Sequence, residues 1–190
     1  MNGTSQAQKA SPDLLYGMVM DTRKCVGCNA CVLACKSENG TPDGFTRDWI
    51  LTEVRGEFPS LDMEIRSERC NHCIDPPCVW VCPTGASYIG EGGIVLVDHD
   101  KCTGCKACIA ACPYDARFIN PAGYADKCTF CHHRVAKGLQ PACVTVCPTE
   151  SLAFGDLNDP QSTVSRLLAE HDNKVLLPEA GTAPKLFFLT

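Results

Sequence analysis

Apolar residues in this chain come in short runs of strand length, broken by glycine and proline, with one helical stretch near the end. The run over residues 16–20 predicts a strand leading directly into the first cysteines. Segments 49–55 and 63–66 flank Gly56 and Pro59, which predicts a hairpin. A second hairpin is predicted where 87–90 and 94–98 surround the turn signal Glu91-Gly92-Gly93. Residues 151–155 read as a further strand. Asp159-Pro160 then opens a short amphipathic helix over 163–171, with Val164, Leu167 and Leu168 on one side. The tail carries Pro178 and Pro184 and ends in the apolar run Leu186-Phe187-Phe188-Leu189. Such an end predicts packing, on the core or on a partner. Small hairpins beside short helices give an α+β class.

Cysteine changes the picture. Of 190 residues, 16 are cysteine, a density at which ligation or cross-linking takes over from core size. All of them fall into four quartets. The first is Cys25, Cys28, Cys31 and Cys35, spaced C-x2-C-x2-C-x3-C. The second, Cys70, Cys73, Cys78 and Cys82, widens the middle gap and is followed by Pro83. The third, Cys102, Cys105, Cys108 and Cys112, repeats the first spacing and adds Pro113. The fourth, Cys128, Cys131, Cys143 and Cys147, stretches the middle gap further and ends at Pro148.

The tight spacing followed by proline is that of bacterial ferredoxins. Three thiolates at steps of three lie on a loop that curls around one iron–sulfur cube. The fourth sits just past the loop, near the start of a short helix, and ligates a different cube. Proline after it donates no amide and fixes φ, holding the turn. Quartets must therefore work in pairs, and four of them give two two-cluster units; spacing alone does not choose the partners. Zinc ribbons need two cysteines from each knuckle rather than four in one run. Disulfides between cysteines three apart would be strained. Cys128-Thr-Phe-Cys131-His132 matches a haem attachment pattern, but attachment there would strand Cys143 and Cys147. His72, His99, His132 and His133 read as surface residues or neighbours of ligands.

Other classes find little support. There is no glycine-rich nucleotide loop, P-loop or H-E-x-x-H zinc motif, so no catalytic residue is nominated. A formal net charge of −5 argues against nucleic acid as a partner, and four clusters at about −2 each would add to it. The first residues carry no apolar export region or twin arginine, and no apolar run is long enough to cross a bilayer. The expectation is a chain made in reducing cytosol, where clustered thiols hold metal.

At the quartets the chain resembles the four-cluster iron–sulfur subunits of molybdopterin oxidoreductase complexes, especially the polysulfide and thiosulfate reductase branch. The stretches that carry this are Cys70-Asn-His-Cys-Ile-Asp-Pro-Pro-Cys, Val81-Cys-Pro-Thr-Gly-Ala, Ala111-Cys-Pro-Tyr-Asp-Ala-Arg, Lys127-Cys-Thr-Phe-Cys, Pro141-Ala-Cys-Val and Phe154-Gly-Asp-Leu-Asn-Asp-Pro. The resemblance implies four [4Fe–4S] clusters, Cys105 being present where some relatives lose a ligand. It implies two ferredoxin units, one (59–120) inserted within the other (16–58 and 121–157), with 158–190 as a C-terminal helix and tail. It also implies the ligand sets: Cys25, Cys28, Cys31 and Cys147; Cys35, Cys128, Cys131 and Cys143; Cys70, Cys73, Cys78 and Cys112; Cys82, Cys102, Cys105 and Cys108. By the same resemblance the chain relays electrons between a large molybdopterin catalytic subunit, facing the first set, and an integral membrane subunit that exchanges electrons with quinone, facing the last. It would then be membrane-associated through partners, with the periplasmic face favoured. Partner-facing surface is expected on the hairpin around 49–66 and on the apolar tail. A free-standing soluble polyferredoxin is the alternative.

Overall fold

The computed structural model describes residues 14–190; the reading of the chain's first residues as free of an export signal lies mostly outside them. Strand β1 (Tyr16–Asp21) is the middle of the main sheet, pairing antiparallel with β8 (Leu152–Asp156) and parallel with β10 (Leu186–Leu189), which in turn pairs with β9 (Asn173–Lys174). Register explains why β1 and β10 are almost wholly buried. Met18 and Met20 stand opposite Leu186 and Phe188 on one side and opposite Phe154 and Leu152 on the other. This face packs on the cysteine-rich core. Val19, Phe187 and Leu189 alternate to the opposite face, where helix α6 (Thr163–Glu170) covers them with Val164, Leu167 and Leu168. The helix starts at Ser162, whose hydroxyl accepts from the Ser165 amide at 3.1 Å, rather than at Asp159-Pro160.

The tail therefore packs on the core. Leu186, Phe188 and Leu189 are fully buried, which corrects the expectation that this segment faces a partner: its apolar face is consumed by β1.

Helix α1 (Ala30–Asn39) follows the first cysteines and leads to a long hairpin, β2 (Asp48–Glu57) and β3 (Ser60–Arg69), paired along its whole length. Gly56, at φ 87°, closes its turn, where a Cβ would collide with the Ser60 carbonyl oxygen. Helix α2 (Pro77–Trp80) and the small hairpin of β4 (Ser87–Ile89) and β5 (Val95–Val97) follow, joined through a 3-10 turn at Glu91–Gly93. Next come helix α3 (Ala107–Ala110), the two-residue strands β6 (Phe118–Ile119) and β7 (Ala125–Asp126), and helices α4 (His132–Val135) and α5 (Ala142–Thr145). All the strands expected from the pattern form, each extended by one or a few residues or trimmed to its hydrogen-bonded part.

Candidate metal centres

Short helices place the cysteines. The third member of each quartet lies on a helix: Cys31 on α1, Cys78 on α2, Cys108 on α3 and Cys143 on α5. The fourth lies four residues on, one helical turn later. Cys35 stays within α1, while Cys82, Cys112 and Cys147 lie just beyond their helices. This corrects the expectation that the fourth cysteine sits near a helix start. The helix instead spans the pair, and its length separates the two sulfurs.

Cys25, Cys28, Cys31 and Cys147 line one cavity. Cys70, Cys73, Cys78 and Cys112 line a second, and Cys82, Cys102, Cys105 and Cys108 a third. The three cavities are small and alike in size, near enough to suit one kind of occupant. The remaining four are drawn together around side chains. Asn39 Nδ2 reaches Cys35 Sγ at 3.6 Å and Cys131 Sγ at 3.9 Å. Arg69 Nη1 donates to Cys143 Sγ at 2.9 Å, and the fully buried Cys128 feels both Cys35 and Cys143 electrostatically. Cys70 and Cys128 lie in the same buried core cluster, so this group borders the cavity of Cys70. A larger open depression lined by Arg23, Leu168, His171 and Thr190 contains no cysteine.

Backbone amides reach several sulfurs: Ser87 N to Cys82 at 3.4 Å, Ala125 N to Cys102 at 3.3 Å and Phe130 N to Cys128 at 3.4 Å. Hydroxyls add to them, Ser151 at 3.2 Å and Thr149 at 3.7 Å from Cys147, Ser67 at 3.6 Å from Cys31, and Thr84 at 3.7 Å from Cys82. Loop curvature comes from left-handed residues at matching places in quartets one and three: Gly27 and Asn29, Gly104 and Lys106.

Burial dominates the thiol chemistry. It pushes Cys35 up to about 12 and Cys73 and Cys143 up to about 11, with neighbouring thiols adding repulsion. At Cys82 and Cys147 burial acts the same way, but hydrogen bonds from Ser87 and Thr84, and from Ser151 and Thr149, outweigh it and lower the thiol. Thiols raised this way, Cys35, Cys73 and Cys143, hold their protons until a cationic core displaces them, so metal uptake there releases protons.

The donor set fits a cubane. Among the described residues no three His, Cys, Asp or Glu side chains converge tightly enough to hold one ion, whereas four soft sulfurs around a cavity suit a polynuclear iron–sulfur core. Arg117 Nη1 and the side-chain amide of Asn71 are buried without a hydrogen-bond partner, and both residues line the cavity of Cys70.

Comparison with known proteins gives the same chemistry. A 4Fe-4S dicluster domain model matches residues 61–157 and another 4Fe-4S dicluster domain model matches 24–86. A polysulfide reductase chain of Wolinella succinogenes is 47% identical, over 92% of this chain and 93% of its own length. The arsenate respiratory reductase iron–sulfur subunit of a Shewanella species is 39% identical over 91% and 95%. The chain belongs to this family of reductase iron–sulfur subunits. A tetrathionate reductase subunit of Salmonella typhimurium is 45% identical to it, over 97% of this chain and 76% of its own length. With two dicluster domains and sixteen cysteines, this iron–sulfur subunit carries four [4Fe–4S] clusters. It is an electron-transfer subunit of a reductase complex. Among its described residues no helix is long and apolar enough to cross a membrane.

Several residues that shape the subunit's sites escaped sequence reasoning. Arg69 and Lys127, each directly before a cysteine, are buried, as are Asn71 and Arg117; His72, expected as a surface residue or a neighbour of ligands, is buried too. His72 stacks on Phe130 at 3.7 Å, accepts from the Val95 amide through Nδ1, and is held well below the usual histidine range by burial. His133 instead meets Glu38 at 2.8 Å, and His99 stacks on Tyr124. A basic residue immediately before a ligand was the available signal for Arg69 and Lys127; burial was not legible.

Proposed function

We propose that this subunit relays single electrons between a molybdopterin catalytic subunit and a membrane subunit that exchanges electrons with quinone. Four ligand sets serve the relay: Cys25, Cys28, Cys31 and Cys147; Cys35, Cys128, Cys131 and Cys143; Cys70, Cys73, Cys78 and Cys112; Cys82, Cys102, Cys105 and Cys108. The middle two quartets form a unit (59–120) inserted in the one built from 16–58 and 121–157. When bound, a cubane accepts and returns one electron without breaking a bond. The chain's own part is to hold the sulfurs, exclude water and shape the local charge.

The reading rests on exposure. Cys28 and Cys105 are the two exposed cysteines; the other fourteen are buried or half-buried. They belong to the first and last sets, where electrons must enter and leave. Helices α1 and α5 bridge the first two sets, α2 and α3 the last two, and Cys70 and Cys128 share one buried cluster between them. This supports a linear order. Exposed apolar side chains flank both ends, Val26 and Leu33 near Cys28, and Trp80 and Val81 before Cys82. We assign the first end to the catalytic subunit and the last to the membrane subunit. The hairpin of β2 and β3, with Val54, Phe58, Leu61 and Met63 exposed, adds docking surface.

Anaerobic purification with metal counting tests this. About sixteen irons per chain, four from each cubane, together with molybdenum in a co-purifying partner, is the expected result. Sixteen irons with neither partner nor molybdenum would overturn the relay role in favour of a diffusible carrier.

A further inference from the structure

The two inner ligand sets differ in how their buried charge is balanced. Beside Cys143 there is one buried guanidinium, Arg69, and it is paired with Asp48 at 3.2 Å. Around Cys70, Cys73 and Cys78 there are three buried cations, of which Lys127 also stands beside Cys128 of the other inner set. Arg117 Nη2 donates to Cys78 Sγ at 2.9 Å and to Ser87 Oγ at 2.8 Å. Lys127 Nζ donates to the carbonyl oxygens of Cys128, at 2.8 Å, and of Val95, a residue lining the same cavity. Lys185 Nζ donates to the Gly93 carbonyl, and its amide donates to the carbonyl of Asn71, at the cavity wall. All three are almost fully buried. Among the described residues, none of them has a carboxylate within 4.0 Å.

Buried cations without counter-ions are costly unless an anion stands nearby. Four thiolates around a cubane core supply one, of net charge about −2, growing more negative on reduction. The outer sets differ again. Sulfurs of Cys31, Cys82 and Cys147 meet hydroxyls, and those of Cys82 and Cys102 meet backbone amides, all neutral donors, while Arg69 and Arg117, whose direct sulfur contacts are to Cys143 and Cys78, also act on Cys31 and Cys108. A fixed positive charge stabilises the reduced, more negative state over the oxidised one, and in a buried site the effect is little screened.

We propose that the cluster held by Cys70, Cys73, Cys78 and Cys112 has the highest reduction potential of the four, and that Arg117, supported by Lys127 and Lys185, sets it. Electrons then rest at this position within the relay. Arg117 acts here as a potential-setting residue through the sulfur of Cys78, to which it donates directly, with a lesser action on Cys108 of the last set. The inference rests on the ligand sets proposed above.

The test uses the intact complex, with each cluster's midpoint followed by electron paramagnetic resonance at controlled potentials. In Arg117→Gln, the highest-potential signal should fall by at least 59 mV, a tenfold change in its oxidised-to-reduced ratio, while the other three move less. Arg117→Lys should keep most of the original value. If Arg117→Gln fails to load iron, Lys127→Gln should lower the same signal. A highest-potential signal that stays put, or a shift confined to another signal, with iron content unchanged, overturns the proposal. Cys112→Ser separates the two layers. If it perturbs a signal other than the one Arg117→Gln shifts, the ligand sets are wrong.

Discussion

Arg69 Nη1 donates to Cys143 Sγ at 2.9 Å while Nη2 stands 3.2 Å from the Asp48 carboxylate, so one buried guanidinium joins a ligand thiol to the base of the long hairpin. Asp48 and Arg69 are the opposed first and last residues of β2 and β3. Closing the hairpin and fixing Cys143 are thus the same act.

Removing only Arg69 leaves Asp48 buried without its cation. Losing one partner of a buried pair costs about 3–5 kcal/mol. Arg69→Gln should therefore lower the thermal unfolding temperature sharply. Arg69→Gln combined with Asp48→Asn should recover much of the loss, because the stranded charge goes too. Comparing the two variants by calorimetry under anaerobic conditions checks this; equal melting points would sink it.

The exposed part of the hairpin is held by charge. Arg66 contacts Glu53, Glu64 and Glu68 at 2.7, 2.8 and 2.6 Å, and Lys174 reaches Glu64 at 2.7 Å from β9. Hydrogen bonds from Arg66 and Arg55 hold the Glu53 carboxyl down to about 2. A depressed carboxyl stabilises fully above its unfolded value, about 4.3, and loses that contribution only as pH falls toward 2. Hydrogen exchange along β2 and β3, corrected for intrinsic rate, should be flat from pH 7 to 5. Glu53→Gln should raise exchange across that whole range.

The tail is core, and point substitutions will say so. Phe188 is fully buried, paired across from Met20 on the face toward the cysteines. Phe188→Ala should cost about 3–5 kcal/mol through the cavity it leaves. Truncation after Pro178 removes Leu186, Phe188 and Leu189 together. That loss is a large share of the 5–15 kcal/mol typical of a whole domain, so the truncated chain should fail to accumulate. Soluble, iron-loaded truncated protein would contradict this.

Much of the architecture was legible in the chain. Strand β1, both hairpins signalled by their turns and helix α6 follow from alternation, turn residues and a 3.6-residue apolar period. The parallel pairing of β10 with β1 was not, because Leu186 to Leu189 carries no mark of which of its apolar neighbours it will meet. At the sites, spacing announced every cysteine. It could not announce that Asn39 would bridge Cys35 and Cys131, or that Arg117 would reach back to Cys78. Those contacts depend on how quartets distant in sequence fold together, and a lone Arg or Asn reads as surface until burial is known.

Phe58, 89% exposed at the hairpin tip, does little for folding. Surface substitutions of this kind usually stay within about 0.5 kcal/mol. Phe58→Ser should leave the melting temperature and iron content unchanged while weakening co-purification with the partner subunits. Unchanged co-purification, with Val54 and Leu61 also substituted, would remove the hairpin from the interface.

Gly104 tests whether one ligand loop can be disabled alone. Its φ of 66° lies in the left-handed region, and a Cβ there would come within 2.5 Å of the Gly123 carbonyl oxygen. Backbone cannot swing aside as a side chain can, so Gly104→Ala must displace the loop carrying Cys102 and Cys105 or the turn at Gly123. Either movement opens the cavity lined by Cys82, Cys102, Cys105 and Cys108. The core of Met18, Met20, Leu186 and Phe188 is built from other segments and is untouched. Iron should fall from about sixteen to about twelve per chain, one cubane lost. Secondary structure by circular dichroism should be preserved, and the remaining three cluster signals should stay. Electron delivery through the exposed Cys105 end should stop even though the other sets remain filled. Full iron content would mean the loop absorbs the methyl group, whereas about twelve irons with unchanged electron flow would mean that this end is not the exit the relay requires.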